Sequence, residues 1–271
     1  LKARPNLNFT IGKQFVNFGG YEYYVNSIRV REFSEFNNLL TAYQAGISGN
    51  WQVNPDHELC FQIVNNRNGN DEDIYPTGLP EGTAKAKIPF MYTVNWNSYY
   101  LDKTLQLRYA TAVGQQTRKR YSYYFTCGNT YEKGPLLTYL DVMYTRQGID
   151  QHGVVSRLPG TPHTAMNTEY LSIIGDVDYR VHPQWNVYVK GAYETARVYK
   201  SNGDFRKGMY RRSWNAQSSV EFFPFKQLDL FVFVLYTYRG VILEKAATRM
   251  GAIEPDTHRI SLGLVYSIPV F

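Results

Sequence analysis

From Leu7 the chain alternates, with Leu7, Phe9 and Ile11 on one parity and Asn8, Thr10, Gly12 and Gln14 on the other. That is how a strand with one apolar and one polar face must read. Tyr43, Ala45, Ile47, Trp51 and Val53 then alternate with Gln44, Gly46, Ser48, Asn50 and Gln52, a run longer than the usual strand of about five or six residues. The same alternation recurs around 59–64, 88–96, 105–113, 121–127, 137–144, 171–181, 185–198, 214–223, 228–238 and 260–271. About twelve strands are expected, each near the roughly 9 to 11 residues that a tilted membrane-crossing strand requires.

The connections alternate in length. Long segments at 17–42, 65–87, 150–165, 200–211 and 240–257, with a briefer one at 115–119, are separated by tight turns. The turns are Asn54-Pro55-Asp56, Leu101-Asp102-Lys103, Lys133-Gly134-Pro135, His182-Pro183-Gln184 and Phe225-Lys226-Gln227, all rich in turn formers. Short turns on one rim and long loops on the other predict an all-β fold, a transmembrane antiparallel up-and-down β-barrel forming a single domain over 1–271. A soluble β-sandwich would need Gln44, Ser48 and Gln52 to face bulk water while a second sheet covered the apolar face. A barrel in lipid explains the same pattern with one sheet.

Composition gives the pattern a cause. Tyr (24), Phe (15) and Trp (4) make up 16% of 271 residues, and such rings favour the membrane interface because one end is apolar and the other wet. Tyr99, Tyr100, Trp185, Trp214, Tyr236, Tyr238 and Tyr266 fall at or near expected strand ends. The longest apolar stretch, 228–238, is interrupted by Asp229 and Thr237, well short of the roughly 20 residues of a spanning helix. The excess of 29 basic over 23 acidic residues gives +6. It is too scattered for a nucleic-acid stripe, so no nucleic-acid partner is expected. Cys60 and Cys127 stand alone without metal-ligand spacing, which predicts free thiols, no cofactor and no metal centre. Asp71-Glu72-Asp73 reads as a solvated acidic loop ahead of a divalent-ion site. The chain opens at Leu1 without Met or a signal peptide, so it is expected to be processed or to lack an N-terminal portion.

The stretch Ile11-Gly12-Lys13-Gln14-Phe15-Val16-Asn17-Phe18-Gly19-Gly20, followed by Tyr43-Gln44-Ala45-Gly46-Ile47-Ser48-Gly49 and Phe61-Gln62-Ile63-Val64-Asn65-Asn66, resembles the phosphate-selective porin family of the porin O and porin P type. The closing run from Leu262 to Phe271 is similar to the terminal strand of outer-membrane barrels, whose last aromatic is read by the assembly machinery. The resemblance implies a porin in the outer membrane of a Gram-negative bacterium that passes small hydrophilic solutes, with an anion (phosphate-like) preference. Implied partners are outer-membrane lipid, small anions or other hydrophilic solutes, the assembly machinery acting through Phe271, and further copies in a homotrimer. The family has about sixteen strands, so the chain reads as the C-terminal part of such a barrel, short by about four strands. Segment 17–42 then becomes the third external loop, which folds into the pore. Pro269 between Ile268 and Phe271 suggests a bulge that restores the parity of the final aromatic.

Inward parity decides what a pore passes. Arg108, Arg120, Arg180, Lys190, Arg239 and Arg259 are inward candidates, against Asp141, Asp176, Asp178, Glu194, Glu221 and Asp229. The alternative is that these charges hydrate the lumen and pair across strands. In loop 17–42, Tyr21, Tyr23, Tyr24, Arg29, Arg31, Glu32 and Glu35 mix rings with both signs of charge. Folded inward, the loop places Arg29 and Arg31 where they attract anions; held outside, it shields the rim. Arg29, Arg31, Arg108, Arg120 and Lys190 are therefore the expected pore-lining cations. Ser218 with His258, and Asp150 with His152 and His163, are the nearest approach to catalytic sets; neither carries a nucleophile motif, and no enzyme is expected. The rival to a porin is a plugged or structural barrel that anchors partner proteins through its loops.

Overall fold

Period-two patterning with polar residues on the concave side produces one antiparallel sheet in the computed structural model, which describes residues 2–24, 33–38, 43–66, 75, 77–84, 86–151, 153–225 and 230–266. A three-residue strand β1 (Lys2–Arg4) precedes twelve longer ones: β2 (Leu7–Phe15), β3 (Tyr43–Asn54), β4 (His57–Asn65), β5 (Phe90–Tyr100), β6 (Leu105–Thr117), β7 (Arg120–Lys133), β8 (Leu136–Ile149), β9 (Met166–His182), β10 (Trp185–Val198), β11 (Gly208–Phe222), β12 (Leu230–Leu243) and β13 (Thr257–Tyr266). Each pairs with its sequence neighbours in up-and-down order. Among the described residues, β13 does not pair with β1 or β2.

The two faces are inverted relative to a soluble protein. Ile47, Phe61, Ile63, Tyr92, Val94, Tyr123, Phe125, Val189, Val234 and Leu262 are exposed. Ser48, Gln62, Thr93, Asn95, Thr126, Asp141, Thr145, Lys190 and Gln217 are buried. An apolar exterior around a polar interior is stable where the outer solvent is hydrocarbon. Cys60 is buried on the inner parity and Cys127 lies on the outer one, so the sheet separates them, and both are free thiols.

The expected turns at residues 54–56, 101–103, 133–135 and 182–184 are all present; the fifth, at Phe225-Lys226-Gln227, runs into residues outside the description. Leu101, Asp102 and Lys103 all take positive φ (52°, 54° and 67°), and the Thr104 amide closes the turn on Leu101 O at 3.1 Å. Strand β9 begins at Met166, ahead of the expected start at 171, because Ile149 pairs with Met166 and the β8–β9 ladder continues beyond the apolar band. At the other end Ser267 to Phe271, with the Pro269 bulge and the terminal aromatic, lie outside the described residues.

The apolar core is not at the centre of the sheet. It forms where the first long connection meets the inner wall. Phe18 and Phe36, both 0% exposed, stack at 6.3 Å, and Phe18 meets the Tyr124 ring at 5.8 Å. Burying each of these rings stabilises the contact by about 1.5–3 kcal/mol. The loop folds inward as expected, and its hydrophobic residues hold it there.

Candidate functional site: the inward loop and the lumen wall

The loop approaches the wall through two glycines. A Cβ on Gly20 would lie 2.2 Å from Asp141 Cγ, and one on Gly128, the β7 residue paired with Asp141, would lie 2.8 Å from Gly20 Cα. Glycine at both positions lets the loop backbone lie against the strands. The amides of Tyr21 and Glu22 then donate to Asp141 Oδ1 and Oδ2, each at 2.9 Å. These are charge-assisted bonds at the start of the short helix Tyr21–Tyr24.

Beyond that contact the loop inserts Glu22 into the wall. Its carboxylate lies 2.8 Å from Lys190 Nζ, with both side chains at most 1% exposed. It also accepts from Asn37 Nδ2 at 2.7 Å and from the Ser34 amide. An ion pair this dry holds only because further donors satisfy its remaining lone pairs. Farther on, the Glu35 amide donates to Glu194 Oε1 at 2.8 Å. The Glu35 carboxylate accepts from Arg211 Nη1 at 2.6 Å and from Arg239 Nη2. Arg211 also reaches Glu254 through Nε (2.7 Å) and Nη2 (2.9 Å), giving two arginines and two glutamates in one network.

Near its start the loop is tied to the opposite side of the wall. The Asn17 amide donates to Gln62 Oε1 at 2.6 Å, Tyr24 Oη donates to Asn17 Oδ1 at 2.7 Å, and Asn95 Nδ2 donates to Tyr24 Oη at 3.0 Å. The Arg108 guanidinium lies 4.2 Å from the Tyr24 ring centroid. Burial pushes the Tyr24 phenol up, against the lowering effect of Arg108. One loop thus touches β4, β5, β7, β8, β10, β11 and β12, which requires the sheet to curl around it.

Among the described residues, recesses open at the long-loop rim. One, of about 630 Å³, is lined by Glu81, Thr117, Arg118, Lys119, Arg120 and Met166. Another, of about 520 Å³, is lined in part by Phe33, Glu35, Arg157, Arg211, Arg239 and Glu254.

Of the cations expected from sequence, Arg108 faces the lumen against Tyr24. Arg120 sits at the long-loop rim, bonded to Gly148 O at 3.2 Å and Asn167 Oδ1 at 3.3 Å. Lys190 faces inward but is buried against Glu22. Arg29 and Arg31 lie outside the described residues. Arg180 stacks on Phe223 at 3.7 Å near the short-turn rim. The sequence reading overlooked Glu22, Arg157, Arg211 and Glu254. Arg211 shares the inward parity of Ser213, Gln217 and Glu221, but it falls in the expected connection 200–211, ahead of the expected start of that strand at Trp214.

The residues weighed for catalysis go separate ways. Asp150 accepts from the Ser156 amide (2.8 Å), Thr168 Oγ1 (3.1 Å) and Tyr170 Oη, and its burial pushes the carboxyl up against those hydrogen bonds. His163 faces Asp204 at 3.8 Å, and His152 lies outside the described residues. Ser218 points outward from β11, while His258 Nδ1 is 2.8 Å from Tyr236 Oη. Among the described residues no group of His, Cys, Asp and Glu could hold a metal; Asp71-Glu72-Asp73 lie outside them.

Known proteins share this architecture. The structure is similar to the outer-membrane channel DcaP of Acinetobacter baumannii, with a TM-score of 0.62 and 12% identity over 96% of this chain and 72% of that one. It is also similar to a loop-deletion mutant of the Vibrio cholerae outer-membrane protein OmpT, with a TM-score of 0.56 and 13% identity over 97% of this chain and 76% of that one. A trimer form of OmpT matches with a TM-score of 0.52 and 12% identity over 96% of this chain and 75% of that one. No curated protein matches by sequence. The family described as phosphate-selective porin O and P matches residues 2–268. With that match over nearly the whole chain and a fold shared with outer-membrane channels, the chain belongs to the phosphate-selective porin O and P family and is a porin of the Gram-negative outer membrane.

Proposed function

We propose that the chain acts as a channel, not an enzyme, through which small hydrophilic solutes diffuse passively with a preference for phosphate-like anions. The observation that carries this reading is the first loop, which crosses a polar lumen from Gln62 on one side to Arg211 and Arg239 on the other. A loop so placed narrows the path without lining it with apolar surface. The inner face is polar along the strands, with Ser48, Gln62, Thr93, Asn95, Thr126 and Gln217 all turned inward, which supports a hydrated lumen.

The anion preference draws on the +6 charge, on the family, and on the cations at the mouth. Arg118 and Lys119 are exposed beside Arg120. Arg157 is exposed at the second recess, where Glu35 and Glu254 already offset Arg211 and Arg239. Arg29 and Arg31 belong to the constricting loop and are the proposed selectivity pair, with Arg108 and Arg120 as contacts along the wall. Lys190 is reassigned to holding the loop through Glu22. A homotrimer is proposed as the working assembly by analogy with the trimer form of OmpT, and Phe271 as the assembly signal.

Planar-bilayer recording of the full-length protein tests this. Steady current with a reversal potential of anion-selective sign in a salt gradient is expected. A sealed barrel, the alternative favoured by the many contacts of the loop, passes no current, and a cation-selective reversal potential would overturn the anion preference.

A further inference from the structure

The lipid-facing positions of β8 to β11 are uncharged along almost their whole length and then carry four charges at one end. Thr138, Leu140, Val142 and Tyr144 on β8 lead to Arg146; Val177, Ile173 and Leu171 on β9 lead to Glu169; Val189, Tyr193 and Thr195 on β10 lead to Arg197; and Val220, Ala216 and Trp214 on β11 lead to Arg212. All four charged residues lie toward the long-loop rim, which faces outward in a barrel of this kind. Cross-strand register sets Arg146 opposite Glu169 and Glu169 opposite Arg197. The three form a continuous row on the outer surface, and the Tyr193–Trp214 ring pair (5.5 Å) lies closer to the membrane centre.

The row is organised. Glu169 lies 3.1 Å from Arg197 Nε and 4.0 Å from Arg146 Nε, and it accepts from Tyr144 Oη at 2.8 Å. Arg146 also stacks on Tyr199 at 3.8 Å, and Arg212 pairs with Glu244 at 2.9 Å. Two glutamates cannot saturate the five donors that each guanidinium carries. The three arginines keep 41–48% of their side-chain surface exposed. Their positive charge exceeds that of Glu169 and Glu244, and the exposed Lys200, just past the end of β10, adds to it. Pinned, half-exposed guanidinium forks above an aromatic girdle and an apolar band match a ligand with phosphates at one end and acyl chains at the other.

We propose that the outer surface of β8 to β11 at the long-loop rim binds the phosphorylated headgroup of an anionic glycolipid of the outer leaflet, through Arg146, Arg197 and Arg212. The acyl chains lie along the apolar positions of the same strands. The cost of a charge facing lipid falls steeply from midplane to interface, so the row is tolerated at this height and the glycolipid supplies its counter-ions. Lipid, not free phosphate, is the occupant because the row points away from the lumen.

Full-length protein stripped of lipid in zwitterionic detergent is offered a bis-phosphorylated glucosamine glycolipid or phosphatidylethanolamine, and the bound lipid is counted by native mass spectrometry. The expected preference for the glycolipid is on the order of tenfold or more, falling toward parity in the Arg146→Gln/Arg197→Gln variant. Single-channel conductance is expected to stay the same. Equal retention of the two lipids by the unaltered protein overturns the proposal, and that comparison stands even where the variant fails to fold. An unchanged preference in a folded variant overturns it as well. Displacement of the glycolipid by inorganic phosphate would mark a free-anion site, and loss of trimers from the variant without any lipid preference would mark a protein interface; either result rejects lipid as the occupant.

Discussion

Lys190 shows how far single residues can be read. Its even position among the polar residues of β10 marks it as inward, yet nothing local announces that Glu22 arrives to neutralise it. The pair is dry, so replacing one member leaves the other charged without a counter-ion, at a cost of about 3–5 kcal/mol. Lys190→Gln is expected to spend that cost on releasing the loop, because the strands are held by their own ladders. Limited proteolysis in detergent should then cut between residues 21 and 38 at a dose the unaltered protein resists. Glu22→Gln added to Lys190→Gln should restore most of the resistance, since no buried charge is left. If the single variant is as resistant as the parent, the pair does not hold the loop.

At the scale of elements, alternation located the strands because lipid outside and water inside impose opposite demands on successive side chains. Ile47, Ile63 and Val94 lie outside as their parity predicts, and Gln44, Gln62 and Asn95 inside. Where the ladder leaves the apolar band the signal fades, so the early starts of β9 at Met166 and of β11 at Gly208, the latter placing Arg211 on the inner wall, were not legible. Nor was the role of Gly128, because glycine in a strand marks a close approach without saying what approaches. Gly128→Val makes the test. Its Cβ would take the space occupied by Gly20 Cα and Asp141 Oδ1, which removes the hydrogen bonds from the Tyr21 and Glu22 amides. Larger single-channel conductance with more frequent fluctuations is expected, with unchanged folding as judged by migration on unheated gels. Conductance identical to the parent would mean that the loop does not set the width of the path.

For the whole molecule, net charge is the quantity that sequence delivers and the fold redistributes. Much of the inner-wall charge is spent on pairing: Lys190 on Glu22, and Arg211 and Arg239 on Glu35 and Glu254. On the proposed reading, selectivity is set chiefly by Arg29 and Arg31 of segment 17–42. Neutralising both should shift the reversal potential toward zero without altering assembly. In the unaltered protein the preference should weaken as the Debye length falls from about 10 Å at 0.1 M salt to about 3 Å at 1 M. A double variant with the parent's reversal potential would move selectivity to the wall and mouth, where Arg108, Arg118 and Arg157 are the next to replace.

Among the described residues each strand pairs with its sequence neighbours, whereas the Tyr21–Asp141 bond spans 120 residues of chain and the Glu35–Arg239 bond spans 204. Hairpins close short segments and form early, while contacts of such long separation bear a loop-closure entropy that only an almost finished wall can offset. The loop therefore docks last. Until it does, the nascent lumen exposes Phe18 and Phe36, so the plumbing is fitted after the pipe is rolled, and the slowest phase of refolding should track burial of these two rings.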